Sequence, residues 1–121
     1  MAANAFSKCA EDLPSDQVYE RRTYYRIAGE CYSEAHDLKS AGDSYWVAKQ
    51  YSAAARTYRE GGYIDEMVQV VTKHRNALDR GLPQRLTMVA RVYYIKACFD
   101  ICLFPNISHS LYVVFKHQVS T

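Results

Sequence analysis

An excess of either charge is missing from this chain: 15 lysines and arginines stand against 13 acids, a net charge of +2 over 121 residues. That balance argues against nucleic acid or an anionic membrane as the main partner. The densest basic group, Arg21, Arg22 and Arg26, reads as a solvated helix face rather than a phosphate-binding strip. A long apolar run is also missing. The nearest approach, Val92 to Phe104, contains Lys96 and Asp100, which speaks against a membrane span of about 18 or more apolar residues. Met1 to Ser15 lack the apolar stretch of a secretory leader. The expected location is therefore intracellular, cytoplasmic or nuclear, with Cys9, Cys31, Cys98 and Cys102 as reduced thiols. In that setting the sequon Asn106-Ile107-Ser108 is read as chance.

What the chain does have is small and aromatic residues recurring at helical spacing, punctuated by glycine. The phrases are Ala28-Gly29-Glu30-Cys31-Tyr32, Ala41-Gly42-Asp43-Ser44-Tyr45, Tyr51-Ser52-Ala53-Ala54 and Tyr58-Arg59-Glu60-Gly61-Gly62-Tyr63. Residues 1–14 show no sustained period and read as a loose lead-in. Ser15 or Asp16 can cap a first helix through Val18, Tyr25, Ala28, Tyr32 and Ala35, with a break at Gly29. Gly42 is placed to close that segment in a left-handed conformation, and Asp43 to cap the next. Tyr45, Ala48, Tyr51, Ala55 and Tyr58 follow, with a turn near Gln50 to Ser52, and Gly61-Gly62 punctuates again.

The clearest predicted helix carries Ile64, Met67, Val68, Val71 and Leu78 on one stripe. Asp65 and Glu66 sit in its first turn and Arg80 in its last, matching the helix dipole. Gly81 ends it and Pro83 starts another. That last helix bears Leu86, Val89, Val92, Tyr93, Ile95, Phe99 and Leu103 on more than one face, as a helix sandwiched between neighbours does.

A shift of 19 residues aligns Tyr32-Ser33 with Tyr51-Ser52, Ala35 with Ala54 and Gly42 with Gly61. A two-helix unit would then span about 38 residues, close to the known helical-pair periods. The expected architecture is all-α: an α-solenoid of tetratricopeptide-like antiparallel hairpins over 15–104, cut from a longer array. The segment 105–121 is an apolar tail with strand-like Leu111 to Phe115. It shows no polar cap of the kind that closes a solenoid.

Residues from Tyr24 to about Ala97 resemble the helical repeats of the fungal family of large tetratricopeptide-and-ankyrin-repeat proteins, many with a UvrD-like helicase region. The resemblance rests on Tyr25-Arg26-Ile27-Ala28-Gly29-Glu30-Cys31-Tyr32, Ala41-Gly42-Asp43-Ser44-Tyr45-Trp46, Tyr58 to Glu66 and Val89-Ala90-Arg91-Val92-Tyr93-Tyr94. Clathrin-type and intraflagellar-transport solenoids use similar punctuation. No proline closes the unit, so the resemblance implies a helical-pair array rather than a regular 34-residue repeat. Any ATPase of such a parent lies outside this chain, which has no Gly-x-x-x-x-Gly-Lys-Ser/Thr loop.

No arrangement of residues points to catalysis. Cys98 and Cys102, with His109 or His117, are better read as core thiols than as zinc ligands, and Cys31 with His36 as packing rather than nucleophile and base. Dipole compensation accounts for His74 beside Lys73 and Arg75. Caps and first turns account for Asp37, Asp43, Asp65 and Glu66. Catalytic, cofactor-binding and metal residues are thus expected to be none. The candidate partner-binding residues are Tyr24, Tyr45, Trp46 and Tyr63, aromatics of the kind that anchor interfaces. The function expected is a non-catalytic protein-protein interaction or scaffold segment. Its partners would be further repeats or a partner peptide, with no direct nucleic acid and no small-molecule substrate. An accessory helical region of a helicase-related ATPase and a vesicle-coat or transport solenoid are the alternatives.

Overall fold

The computed structural model describes residues 2–103, with side chains as far as Phe99. They form six helices: α1 (Ala2–Asp12), α2 (Val18–Glu34), α3 (Leu38–Val47), α4 (Tyr51–Glu60), α5 (Ile64–Lys73) and α6 (Leu82–Leu103). A 3₁₀ turn, Arg75–Ala77, lies between α5 and α6. No strand occurs among the described residues, and each helix packs chiefly on the one before it and the one after. The fold is all-α, as expected. Residues 1–14, read as a loose lead-in, instead contain α1, which packs on α2 with Ala3 and Ala10 buried. The tail 105–121 lies outside the described residues.

The chain repeats, with a period different from the one the alignment suggested. Helices α3, α4 and α5 begin at Leu38, Tyr51 and Ile64, a spacing of 13 residues rather than 19. The turns before them are built alike. The N–H groups of Asp37, Gln50 and Tyr63 donate to the carbonyls of Tyr32, Tyr45 and Tyr58 at 2.9, 2.9 and 2.8 Å. The N–H groups of His36, Lys49 and Gly62 donate to Ser33, Trp46 and Arg59 at 3.0, 2.9 and 3.1 Å. This double bond pattern satisfies carbonyls left over at a helix end, and it requires a left-handed residue between. His36, Lys49 and Gly62 take that role, with φ of 61°, 61° and 79°.

Glycine therefore does a different job from the one expected. Gly29 and Gly42 neither break nor close a helix; both are buried inside one, under an aromatic ring of the next. A Cβ on Gly29 would lie 2.9 Å from Cδ1 and Cε1 of Tyr45. One on Gly42 would lie 2.6 Å from Cδ1 and 2.8 Å from Cζ of Tyr58. The missing side chain is a socket, and the tyrosine 16 residues on is its plug. One layer further, the same register holds Ala55 and Val71, both in the main core cluster: a larger floor facing a smaller plug. A third recurring position, Ala28, Ala41, Ala54 and Met67, is fully buried throughout.

The core runs through α4, α5 and the first half of α6, where Leu82, Leu86, Ala90 and Tyr94 form one stripe. Helix α5 stops at Lys73, one turn earlier than the Leu78 stripe predicted, because His74 leaves helical geometry at φ −127°. Arg80 accordingly lies past α5 rather than in its last turn, while Gly81 turns the chain into α6 with φ 81°. Asp37, not Asp43, is the side-chain cap of α3, accepting from the Ser40 N–H at 3.3 Å.

Candidate protein-interaction surfaces

Three tyrosines, the Tyr58 plug among them, are held at their hydroxyl ends. Tyr32 donates to Asn4 Oδ1 at 2.6 Å, joining α2 to α1. Tyr58 donates to Asp43 Oδ1, joining α4 to α3, and Asp43 also pairs with Lys39 at 3.0 Å. Tyr94 donates to Asp65 Oδ1 at 2.6 Å, joining α6 to α5. Between α4 and α5 the ladder changes chemistry: Val71 stands where tyrosine stood, and Arg56 stands where Asp43 stood one layer earlier. Arg56 turns to Asp79 at 2.8 Å instead. The acidic acceptor and the phenol disappear together, so no buried polar group is left without its partner there.

Burial pushes the Tyr58 and Tyr94 hydroxyls well up from their ordinary value, followed by the hydrogen bonds to Asp43 and Asp65 and the negative charge of those carboxylates. Burial also raises Tyr45, and Glu30 adds to it. The folded chain thus holds these protons more tightly than the unfolded chain. Their contribution to stability is complete below the ordinary tyrosine value near pH 10, and it declines as pH rises through it. In an alkaline titration followed at tyrosinate absorbance, part of the absorbance change is therefore expected to wait for unfolding. Tyr58 and Tyr94 should ionise only with the loss of helical circular dichroism. Ionisation of all 11 tyrosines ahead of unfolding would refute the ladder.

The four candidate partner-binding residues are each engaged with a different neighbour. Tyr24 stacks on Phe6 of α1, ring centroids 6.3 Å apart. Tyr45 is half-buried over Gly29. Trp46 donates from Nε1 to His74 Nε2 at 3.3 Å, meets the edge of Tyr58, and has the Lys73 ammonium 5.7 Å above its ring. His74 in turn stacks on Tyr51 at 3.7 Å. Tyr63 covers Gly61 and is the most exposed of the four.

The free surface lies elsewhere. On α6 the face opposite the buried stripe carries Met88, Val92, Ile95 and Phe99 at 62, 66, 57 and 64 % exposure. Their spacing, i, i+4, i+7 and i+11, makes one apolar band. The sequence did contain this signal, since α6 read as apolar on two faces; the described residues cover one of them and not the other. Two clefts are lined by cations. One, of about 410 Å³, is bounded by Arg56, Arg59, Glu60, Leu82 and Arg85. The other, of about 250 Å³, is bounded by Tyr19, Arg22, Thr23, Arg26, Ala48, Lys49 and Gln50. Sequence reading missed the second because Lys49 joins the arginines only through the turn between α3 and α4.

Among the chemistry weighed from sequence, Cys31 is half-buried within α2, and His36 is exposed on its left-handed turn. Cys98 is half-buried on α6, while the Cys102 side chain, His109 and His117 lie outside the described residues. No group of three histidine, cysteine or acidic side chains converges as a metal site among the described residues. No described helix is long and apolar enough to cross a membrane. No protein-family model, characterised protein or solved structure matches this chain. Its surfaces carry the functional argument.

Proposed function

We propose that this chain is a non-catalytic protein-protein interaction segment of an α-solenoid built from tetratricopeptide-like hairpins. The bare apolar band of α6 carries this reading. Helices α2 to α5 each lie between two neighbours, whereas α6 meets α5 with one face and presents Met88, Val92, Ile95 and Phe99 with the other. A contiguous apolar band at the end of a helical stack is an interaction site rather than a solvated surface. Its occupant is an amphipathic helix, from a further repeat or from a partner, because every described layer of the stack is itself a helix. The likeness of Tyr25 to Tyr32 and Tyr58 to Glu66 to fungal repeat arrays supports the same conclusion.

A photo-crosslinking residue in place of Phe99 in the full chain, expressed in its native cells, tests it. Mass spectrometry should place the crosslinks on residues spaced i, i+3 or i+4 along the apolar side of a helix. Phe99→Asp should weaken that association by roughly tenfold or more, since one buried aromatic anchor is worth about 2 kcal/mol. Crosslinks confined to residues 105–121 of the same chain would show that the band is covered from within, and the reading would be wrong.

A further inference from the structure

The geometry points to the cleft between the start of α2 and the α3–α4 turn as a receptor for a phosphorylated serine or threonine on an extended peptide. Four of its residues, Tyr19, Arg22, Thr23 and Arg26, fall at i, i+3, i+4 and i+7 on α2 and so share one face. The turn adds Ala48, Lys49 and Gln50 from the other side. Three cations line about 250 Å³, and no carboxylate is among the lining residues.

Lys49 is delivered by backbone geometry. It occupies the left-handed position of its turn, φ 61°, fixed by the bonds from Lys49 N–H to Trp46 and from Gln50 N–H to Tyr45. A lysine there bears a conformational cost that glycine would not. Arg26 has a competing partner in Glu30 at 2.6 Å, but both side chains are about half exposed. Such a solvent-screened pair is weak and is readily exchanged for a stronger one. Arg22 and Lys49 make no ion pair among the described residues.

The ligand chemistry follows from the charges. Three like charges around one small cleft repel one another until a counter-charge enters. A phosphate monoester carries close to two negative charges and three acceptor oxygens, enough to engage an arginine fork, a second arginine and an ammonium together. A single carboxylate offers one charge and two oxygens. The bearer is a peptide rather than a nucleic acid strand, because a strand repeats its charge at every nucleotide and needs a basic track beyond the first contact. Here the other basic cleft, with Arg56, Arg59 and Arg85, shares no lining residue with this one and includes Glu60, so the two do not form one continuous lining. Tyr19, 84 % exposed, stands at the rim as an aromatic wall for the residues flanking the phosphate.

The full chain, isotopically labelled, is titrated with four probes while the amide signals of Thr23, Lys49 and Gln50 are followed. The probes are a degenerate phosphoserine-centred peptide library, the same library unphosphorylated, a single-stranded RNA oligonucleotide and inorganic phosphate. Saturable shifts with the phosphorylated library and none with its unphosphorylated counterpart are expected. Arg22→Gln combined with Lys49→Gly should reduce affinity by roughly tenfold or more, since it removes two of the three cations that would bond the phosphate oxygens. Lys49→Arg should retain binding. Amide signals of the double variant unchanged outside the cleft show that lost binding is not lost folding. Equal shifts with both libraries, tighter binding of RNA, equal affinity for inorganic phosphate, or no shift with any probe would each overturn the assignment. Phe99→Asp should leave this cleft unaffected, which separates it from the helix-docking band.

Discussion

Gly42→Ala is expected to destabilise this chain although alanine is the better helix former. The substitution gains about 1 kcal/mol in helix propensity. Against that, the new methyl would meet the Tyr58 ring at 2.6 Å and 2.8 Å, inside any van der Waals contact. The ring cannot step aside: it is only 1 % exposed and its hydroxyl is tied to Asp43 on the same helix as the socket. Overpacking of this kind costs about 1–3 kcal/mol, occasionally more. Contacts this short against an anchored ring call for the upper part of that range, about 2–3 kcal/mol, so the net loss should be roughly 1–2 kcal/mol, or about 3–12 °C in Tm for a domain of this size. Gly42→Val, with two more carbons, should unfold the α3–α4 pair. Gly29→Ala should be milder, because Tyr45 is half-buried and has room to tilt. Tyr58→Ala removes the plug and should itself cost about 3–5 kcal/mol. Combined with Gly42→Ala it should cost less than the sum, since the methyl then fills part of the vacated space. Denaturant midpoints for the four chains measure this. A Gly42→Ala chain as stable as the wild type, or strict additivity, would contradict the socket.

Tyr94→Ala should detach the last helix before the others. Tyr94 is 1 % exposed, belongs to the core cluster through α6, and bonds Asp65 at 2.6 Å. Helix α6 has a described neighbour on one side only, and it is joined to α5 by a 3₁₀ turn and a left-handed glycine instead of the tight turn used earlier. Removing its largest buried side chain should cost about 3–5 kcal/mol. The loss should concentrate in residues 82–103, because a stacked helix holds mainly to its nearest neighbours. Hydrogen exchange should show faster exchange across α6 with α2 to α4 still protected, and binding through the α6 band should fall in parallel. Tyr94→Phe keeps the ring and should lose only about 1 kcal/mol. A uniform loss of protection across all six helices would mean the layers are more strongly coupled than this account allows.

The helical character of this chain was legible because alanine and tyrosine recur on helical stripes, as in Ala28, Tyr32 and Ala35. Its turns were not. Glycine is the usual sign of a left-handed residue, yet His36 and Lys49 fill two of the three equivalent turn positions, while Gly29 and Gly42 are spent on interhelix contact. Reading those glycines as punctuation shifted the boundaries and produced a period of 19 where the structure has 13. Of the surfaces, the two-sided apolarity of α6 was visible from Val92, Ile95 and Phe99, but which side faced inward depended on the Leu82, Leu86, Ala90 and Tyr94 stripe. The basic cleft was illegible, because Arg22 and Lys49 are 27 positions apart and only the short connection ahead of Tyr51 brings them together.

The spacing of 13 residues between successive helix starts bears on how such a gene can grow. Thirteen codons inserted at one of these turns preserve the reading frame and add one whole helix together with its turn, so the socket and plug positions on either side keep their spacing within each unit.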